Sequence, residues 1–208
     1  MKLEYIGHAC FNLTAEGGFS WVTDPYDGTI GLAQPAVRAT VTTLSHGHFD
    51  HNCVQALTDA VEVLSAPGEY EAGGARFTHI SSYHDEVRGA KRGANLITLC
   101  EIGSLRICHL GDLGHQLDAA QLRALGRVDV LMIPVGGTYT LDGEGAARAV
   151  RAIAPRTIVP MHFKVPHLLL DIAAPDAFLR AMGPYTEVGS ELELSAAPAG
   201  VVLMLPAR

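Results

Sequence analysis

The 208-residue sequence is short of charge, of paired cysteines and of long apolar runs. Asp, Glu, Lys and Arg make up 18% of it, and the net charge is −7 at pH 7. Its 15 lysines and arginines are scattered. They form no basic stripe of the kind nucleic-acid binders carry, so no nucleic-acid partner is expected. Four cysteines, Cys10, Cys53, Cys100 and Cys108, show neither CxxC spacing nor the density of a disulfide scaffold. They read as reduced thiols of a cytoplasmic protein, and Cys53 reads as packed rather than ligating. No apolar stretch approaches the length of a membrane span, so no membrane partner is expected. The start, Met1-Lys2-Leu3-Glu4-Tyr5-Ile6, alternates like a strand and lacks the apolar centre of a signal peptide. Low-complexity segments and linkers are missing too. With 48% hydrophobic residues, this predicts one domain over residues 1–208 with a full core.

What the sequence does have is the run His46-Gly47-His48-Phe49-Asp50-His51, directly after the apolar, β-branched stretch Val41-Thr42-Thr43-Leu44-Ser45. Three imidazoles and a carboxylate at the end of a buried strand would repel one another or go unpaired if they merely packed. A divalent cation resolves that conflict, because neutral imidazole nitrogens and carboxylate oxygens are its natural ligands. His46 and His48, two apart, face one side of an extended segment. Asp50 and His51 enter the same space from the turn that follows.

The order of elements reads as strands at 2–6, 10–15 and 19–23, then the histidine-bearing strand, a short helix over Asn52–Ala60 and a return strand over Val61–Leu64. Pro67-Gly68-Glu69 reads as a turn. Further strands are expected at 75–82, 95–101 and 104–110, a helix from Asp118 to Leu125, and a strand over Val128–Ile133. A helix from Asp142 to Ala154, a strand over Thr157–Met161, a helix at 175–182 and strands at 185–194 and 200–205 complete the chain. Such an order fits two sheets face to face with helices outside. Several strands stop at a residue fit to bind metal: His84, Asp112 and His162. With the early run they make five imidazoles and two carboxylates, enough for two cations that share a carboxylate and each keep an open position.

The His-x-His-x-Asp-His run, the later His84-Asp85, His109-Leu110-Gly111-Asp112-Leu113-Gly114-His115 and Ile158 through His162 resemble the metallo-β-lactamase fold superfamily. Tyr5-Ile6-Gly7-His8-Ala9, Asp24-Pro25, Pro67-Gly68-Glu69-Tyr70, Arg92-Gly93-Ala94-Asn95 and Ile133 through Thr140 bring the resemblance closer to its small stand-alone branch of metal-dependent hydrolases. That branch is related to ascorbate-6-phosphate lactonase-like proteins. The resemblance implies an α/β (α+β) fold, a four-layer αβ/βα sandwich of two mixed sheets with outer helices. It also implies that His46, His48 and His84 hold one cation, that Asp50, His51 and His162 hold a second, and that Asp112 bridges them. Zinc is the usual metal of such proteins, with manganese, iron and nickel also used, and a homo-oligomer is consistent with the branch.

Four further residues are candidates for substrate contact or for support of the ligands. His8 is either a donor near the cleft or a turn residue. Asp24 either orients a ligand imidazole or accepts in an Asp-Pro turn. His115 either meets substrate or caps the helix after it, and Tyr139 either polarises a substrate oxygen or anchors its loop. Arg88, Lys91 and Arg92 read as a solvated loop, with contact to an anionic group of the substrate as the alternative. His79, His109 and His167 read as structural. The expected chemistry is hydrolysis of an ester, lactone or phosphodiester of a small, anionic substrate by water acidified between two cations, with Asp50 in a catalytic role. β-Lactam turnover is not expected. A metal-loaded binding or regulatory protein is the alternative; a di-iron redox protein is disfavoured because position 48 is His, where redox relatives carry Glu.

Overall fold

A computed structural model of the chain describes residues 1–58 and 62–206. The amino-terminal meander is built from β1 (Lys2–Gly7), β2 (Cys10–Thr14) and β3 (Ser20–Thr23), and β4 (Val41–Thr43) carries the histidine run at its end. In β1 the alternation places Leu3 and Tyr5 inside and Lys2 and Glu4 at the rim. With β5 (Glu62–Leu64) and the distant β13 (Glu191–Glu193) these strands form a six-stranded sheet, ordered β13-β1-β2-β3-β4-β5. Pairing is antiparallel as far as β3 and parallel from β3 to β5.

A second sheet uses β6 (Gly68–Ala72), β7 (Ala75–Tyr83), β8 (Ala94–Ile102), β9 (Leu105–His109), β10 (Val130–Pro134), β11 (Thr157–Met161), β12 (Tyr185–Val188) and β14 (Gly200–Met204). Its order is β12-β14-β11-β10-β9-β8-β7-β6. β10 and β11 are buried at every position, as strands covered on both faces must be. Helices α1 (Ala119–Leu125), α2 (Gly143–Ile153) and α3 (Asp176–Met182) fill three successive connections of this sheet. Asp118 and Asp142 cap α1 and α2, as their positions in the sequence imply.

One hydrophobic core joins the sheets. Trp21 of β3 meets Phe77 of β7 edge to face, with centroids 5.5 Å apart. His109 ties the sheets directly, donating from Nε2 to the Ala9 carbonyl over 2.9 Å, so its structural reading holds.

The two mixed sheets of the expected sandwich are present, but three local expectations change. The helix over Asn52–Ala60 is replaced by a single 3-10 turn, Val54–Ala56. Its neighbours are drawn outward, since the Cys53 amide donates to Pro25 O and the Thr58 amide to Val37 O instead of to carbonyls four residues back. Asp59, Ala60 and Val61 of that expectation and of the strand after it lie outside the described residues. The connections of the six-stranded sheet therefore hold only 3-10 turns among the described residues, and the outer α-helices belong to the other sheet. Second, Gly68-Glu69 begins β6 rather than making a turn, because β7 extends far enough to pair His79 with Gly68. Third, the strand expected over 185–194 splits at Gly189-Ser190: β12 stays in the eight-stranded sheet and β13 crosses to β1. No helix among the described residues is long and apolar enough to cross a membrane.

α2 packs closely on α3 through Gly143, where a Cβ would lie 2.4 Å from the Phe178 amide nitrogen. Ala normally favours a helix over Gly by about 1 kcal/mol, but here the obstacle is backbone, which cannot swing away. Gly143→Ala is expected to destabilise the fold by about 1–3 kcal/mol, read as a lower urea midpoint with an unchanged m-value.

Candidate metal centre

Residues just past six strand ends meet between the sheets, the histidine run after β4 among them. β1 is followed at once by His8, β3 by Asp24, β7 by His84 and β11 by His162, while β9 leads through Leu110-Gly111 to Asp112. The strands fix where each side chain starts, and irregular backbone fixes where it points. His8, Asp24 and His162 all sit at positive φ, 55°, 37° and 50°. Such conformations cost non-glycine residues about 1–3 kcal/mol each and persist only where the surroundings hold them. Gly111, at φ 56°, is required: a Cβ there would lie 2.3 Å from Asn95 Oδ1. That Asn95 oxygen accepts the Asp112 amide over 2.9 Å and so sets the carboxylate's position.

Asp112 Oδ2 is the focus. It lies 3.1 Å from His84 Nε2, 3.1 Å from His162 Nε2 and 3.3 Å from His51 Nε2. His46 Nε2 and His48 Nδ1 are 2.9 Å apart, and together with His84 they form one convergent donor group. His8, Asp50, His51 and His162 form another, entirely buried. Thus the seven residues expected as ligands come together, with His8 added. The grouping of Asp24 with His46 and His51 is support rather than a separate position. Asp24 accepts from the Ser45 amide (2.7 Å), Ser45 Oγ (2.5 Å) and His51 Nδ1 (2.9 Å).

The hydrogen bonds decide what these imidazoles can bind. The Nδ1–H of His51 is taken by Asp24, that of His84 by Tyr139 O (3.0 Å), and that of His46 by Ser45 Oγ (2.9 Å). Each ring therefore turns an Nε2 lone pair inward. For His51 and His84 that lone pair faces carboxylate oxygen, acceptor against acceptor, and only a proton or a cation between them removes the conflict. Asp112 Oδ1, buried and without a hydrogen-bond partner, is the same deficit seen from the other side.

Charge follows geometry. Burial pushes the His46 imidazole down to about 3 and His8 down to about 4, with His51 adding to the first and His162 to the second, so both are neutral at pH 7. Burial opposes protonation of His51 too, yet the carboxylates of Asp112, Asp24 and Asp50 together outweigh it and hold His51 well above its ordinary value. His84 is raised by Asp112, against the pull of burial. Burial would raise Asp112, but His162 and His51 keep it well below the usual carboxylate range.

Sequence and structural relatives show the family. The family described as beta-lactamase superfamily domain matches residues 2–162. The chain belongs to the metallo-β-lactamase superfamily. A UPF0173 metal-dependent hydrolase from Thermoplasma acidophilum is 30% identical over 88% of this chain and 91% of its own length. The crystal structure of a metallo-β-lactamase superfamily protein from Thermotoga maritima superimposes with TM-score 0.84 at 36% identity, covering 98% of this chain and 97% of that one. The di-iron β-hydroxylase CmlA from Streptomyces venezuelae shares the fold alone, with TM-score 0.61 and 14% identity over 99% of this chain and 52% of that one.

In this metallo-β-lactamase chain, the remaining candidates separate. Tyr139 serves the cluster through its carbonyl, which aims His84, while its half-exposed ring lies under the Arg92 guanidinium at 5.7 Å. His115 stands apart from the cluster. Its Nε2 accepts the Tyr83 amide (3.2 Å) and its Nδ1 donates to Gln116 O (2.8 Å), so it braces main chain. Arg92, read from sequence as solvated loop, instead lines a cleft of about 530 Å³ beside His46 and His48. Asp85 organises its loop by accepting the amides of Val87, Gly89, Lys91 and Arg92. Ser45 and Asn95 are supporting residues that the sequence reading did not single out; their signal was position beside a ligand or a strand start, with no special residue chemistry.

The Asp112 carboxylate favours protonation of His51 and His84 at the nitrogens that face it, so metal uptake there competes with protons. Binding at pH 7 is expected to release protons and to tighten as pH rises. Calorimetry in buffers of different ionisation enthalpy measures the release, and uptake without it would contradict the protonation pattern.

Proposed function

We propose that the chain is a hydrolase that uses two divalent cations, zinc first with manganese, iron or nickel as alternatives, to cleave an ester, lactone or phosphodiester bond of a small anionic molecule. The observation behind this reading is the convergence of His51, His84 and His162 on one oxygen of Asp112, each within 3.3 Å. His46, His48 and His84 would hold the first cation, Asp50, His51 and His162 the second, and Asp112 both. When bound, such a pair acidifies water and polarises a carbonyl or phosphoryl oxygen.

The chain's own groups do the rest. Asp24 and Tyr139 O hold the His51 and His84 rings in the ligating tautomer. Burial acts to raise Asp50, but hydrogen bonds with His51 and His8 hold it well below the usual carboxylate range. A carboxylate that weakly basic suits orienting the attacking water by accepting its hydrogen bond better than abstracting its proton. Arg92 supports the anionic substrate. Its guanidinium donates to Thr138 O over 2.9 Å, has no carboxylate partner among the described residues, and lines the cleft beside His46 and His48.

Metal-loaded protein is expected to turn over at least one substrate in a panel of lactones, thioesters and bis-phosphodiesters, and Asp50→Ala to lower kcat/KM by about 100-fold or more. Full metal occupancy with no turnover across the panel would favour a binding protein instead. Arg92→Gln is expected to raise KM for anionic substrates by about 10- to 100-fold while leaving neutral esters unaffected, measured by steady-state kinetics.

A further inference from the structure

His8 has more in common with the ligands than its place in an amino-terminal turn suggests. It follows β1 directly, as His84 follows β7 and His162 follows β11. Its backbone is held at φ 55° by two bonds to its carbonyl, from Tyr5 Oη (3.0 Å) and from the His162 amide (2.8 Å). This second bond clamps His8 to His162 across the two sheets, with ring centroids 4.2 Å apart. The ring is 1% exposed, and its Nε2 lies 3.1 Å from Asp50 Oδ2 and 3.2 Å from His51 Nε2. Those separations match the 3.1–3.5 Å between the other donor atoms gathered around His51 and Asp112.

We propose that His8 is itself a metal ligand, binding the second cation through Nε2 beside Asp50, His51 and His162. This rests on the reading that the cluster holds cations. The rival role is a hydrogen bond from His8 Nε2–H that merely positions Asp50. Two features favour ligation. His51 turns its Nε2 into the group because its Nδ1 donates to Asp24, so His8 Nε2 faces a second inward-turned ligand atom as well as a carboxylate. The group is also wholly buried, unlike the first position, where His48 is exposed. A cation there draws its donors from protein more than from water. With Asp112, His8 brings the second position to five protein donors, three nitrogens and two oxygens, against four for the first. Five exceeds the tetrahedral set of a structural zinc and suits a five- or six-coordinate ion.

The test uses the full chain, labelled with 15N-histidine and loaded with 113Cd. The expected result is a 113Cd–15N scalar coupling to His8 Nε2, with the proton on Nδ1. In parallel, His8→Gln is expected to weaken binding of one of two metal equivalents by at least about 10- to 100-fold, the loss seen when even supporting residues around a metal are removed. The other equivalent stays at wild-type affinity. A protonated, uncoupled His8 Nε2 in protein carrying two cations would overturn the proposal and leave the hydrolase reading standing. Two equivalents bound by His8→Gln as tightly as by wild type would do the same. Failure of the wild-type chain to bind any divalent cation would overturn both. Should His8→Gln not fold, the coupling measured in the wild-type chain decides.

Discussion

A buried carboxylate facing three imidazoles is the constraint on which this structure turns. Asp112 is 2% exposed, and one of its oxygens meets His51, His84 and His162 at hydrogen-bond distance. An isolated charge in such a place would be too costly to keep, so it is retained only with positive charge beside it, from protons or from cations. The surrounding hydrogen bonds orient the imidazoles. Asp24, Tyr139 O and Ser45 occupy the outward nitrogens of His51, His84 and His46, which turns their Nε2 atoms into the cluster.

The sandwich exists to bring those groups to one place. The six-stranded sheet contributes the ends of β1, β3 and β4, and the eight-stranded sheet the ends of β7, β9 and β11. Links between the sheets are concentrated at the same level: the His162 amide to His8 O, and His109 to Ala9 O. Strain is concentrated there too, with His8, Asp24 and His162 all at positive φ. Core packing on either side supplies the rigidity that lets unfavourable backbone persist beneath the cluster.

The cleft beside the cluster is bordered by an arginine whose position is fixed in advance. Asp85 spends its carboxylate on four backbone amides of one loop, and this fixes where Arg92 enters. A lysine or arginine on a loose loop would contribute little, because ordering it would offset most of the attraction. Anchored over Tyr139 and on the Thr138 carbonyl, Arg92 has already lost that freedom.

The sequence alone determined the ligand candidates, because metal-binding side chains at strand ends leave a pattern of apolar runs stopping at His or Asp. It also determined most strands and the caps of α1 and α2, which depend on local hydrogen bonds and period. It was silent on pairings made across the fold. The helix expected after the histidine run was lost to amide bonds with the 25–37 loop, and the strand expected over 185–194 was divided between two sheets. Likewise, His8 stayed open between a donor near the cleft and a turn residue, and Arg92 between solvated loop and substrate contact, since nothing near either one names its neighbours. Only the tertiary structure set Asp50 and His51 against His8, and put His46 and Arg92 on one cleft, because these neighbours lie tens of positions apart in the chain and meet through how the two sheets close.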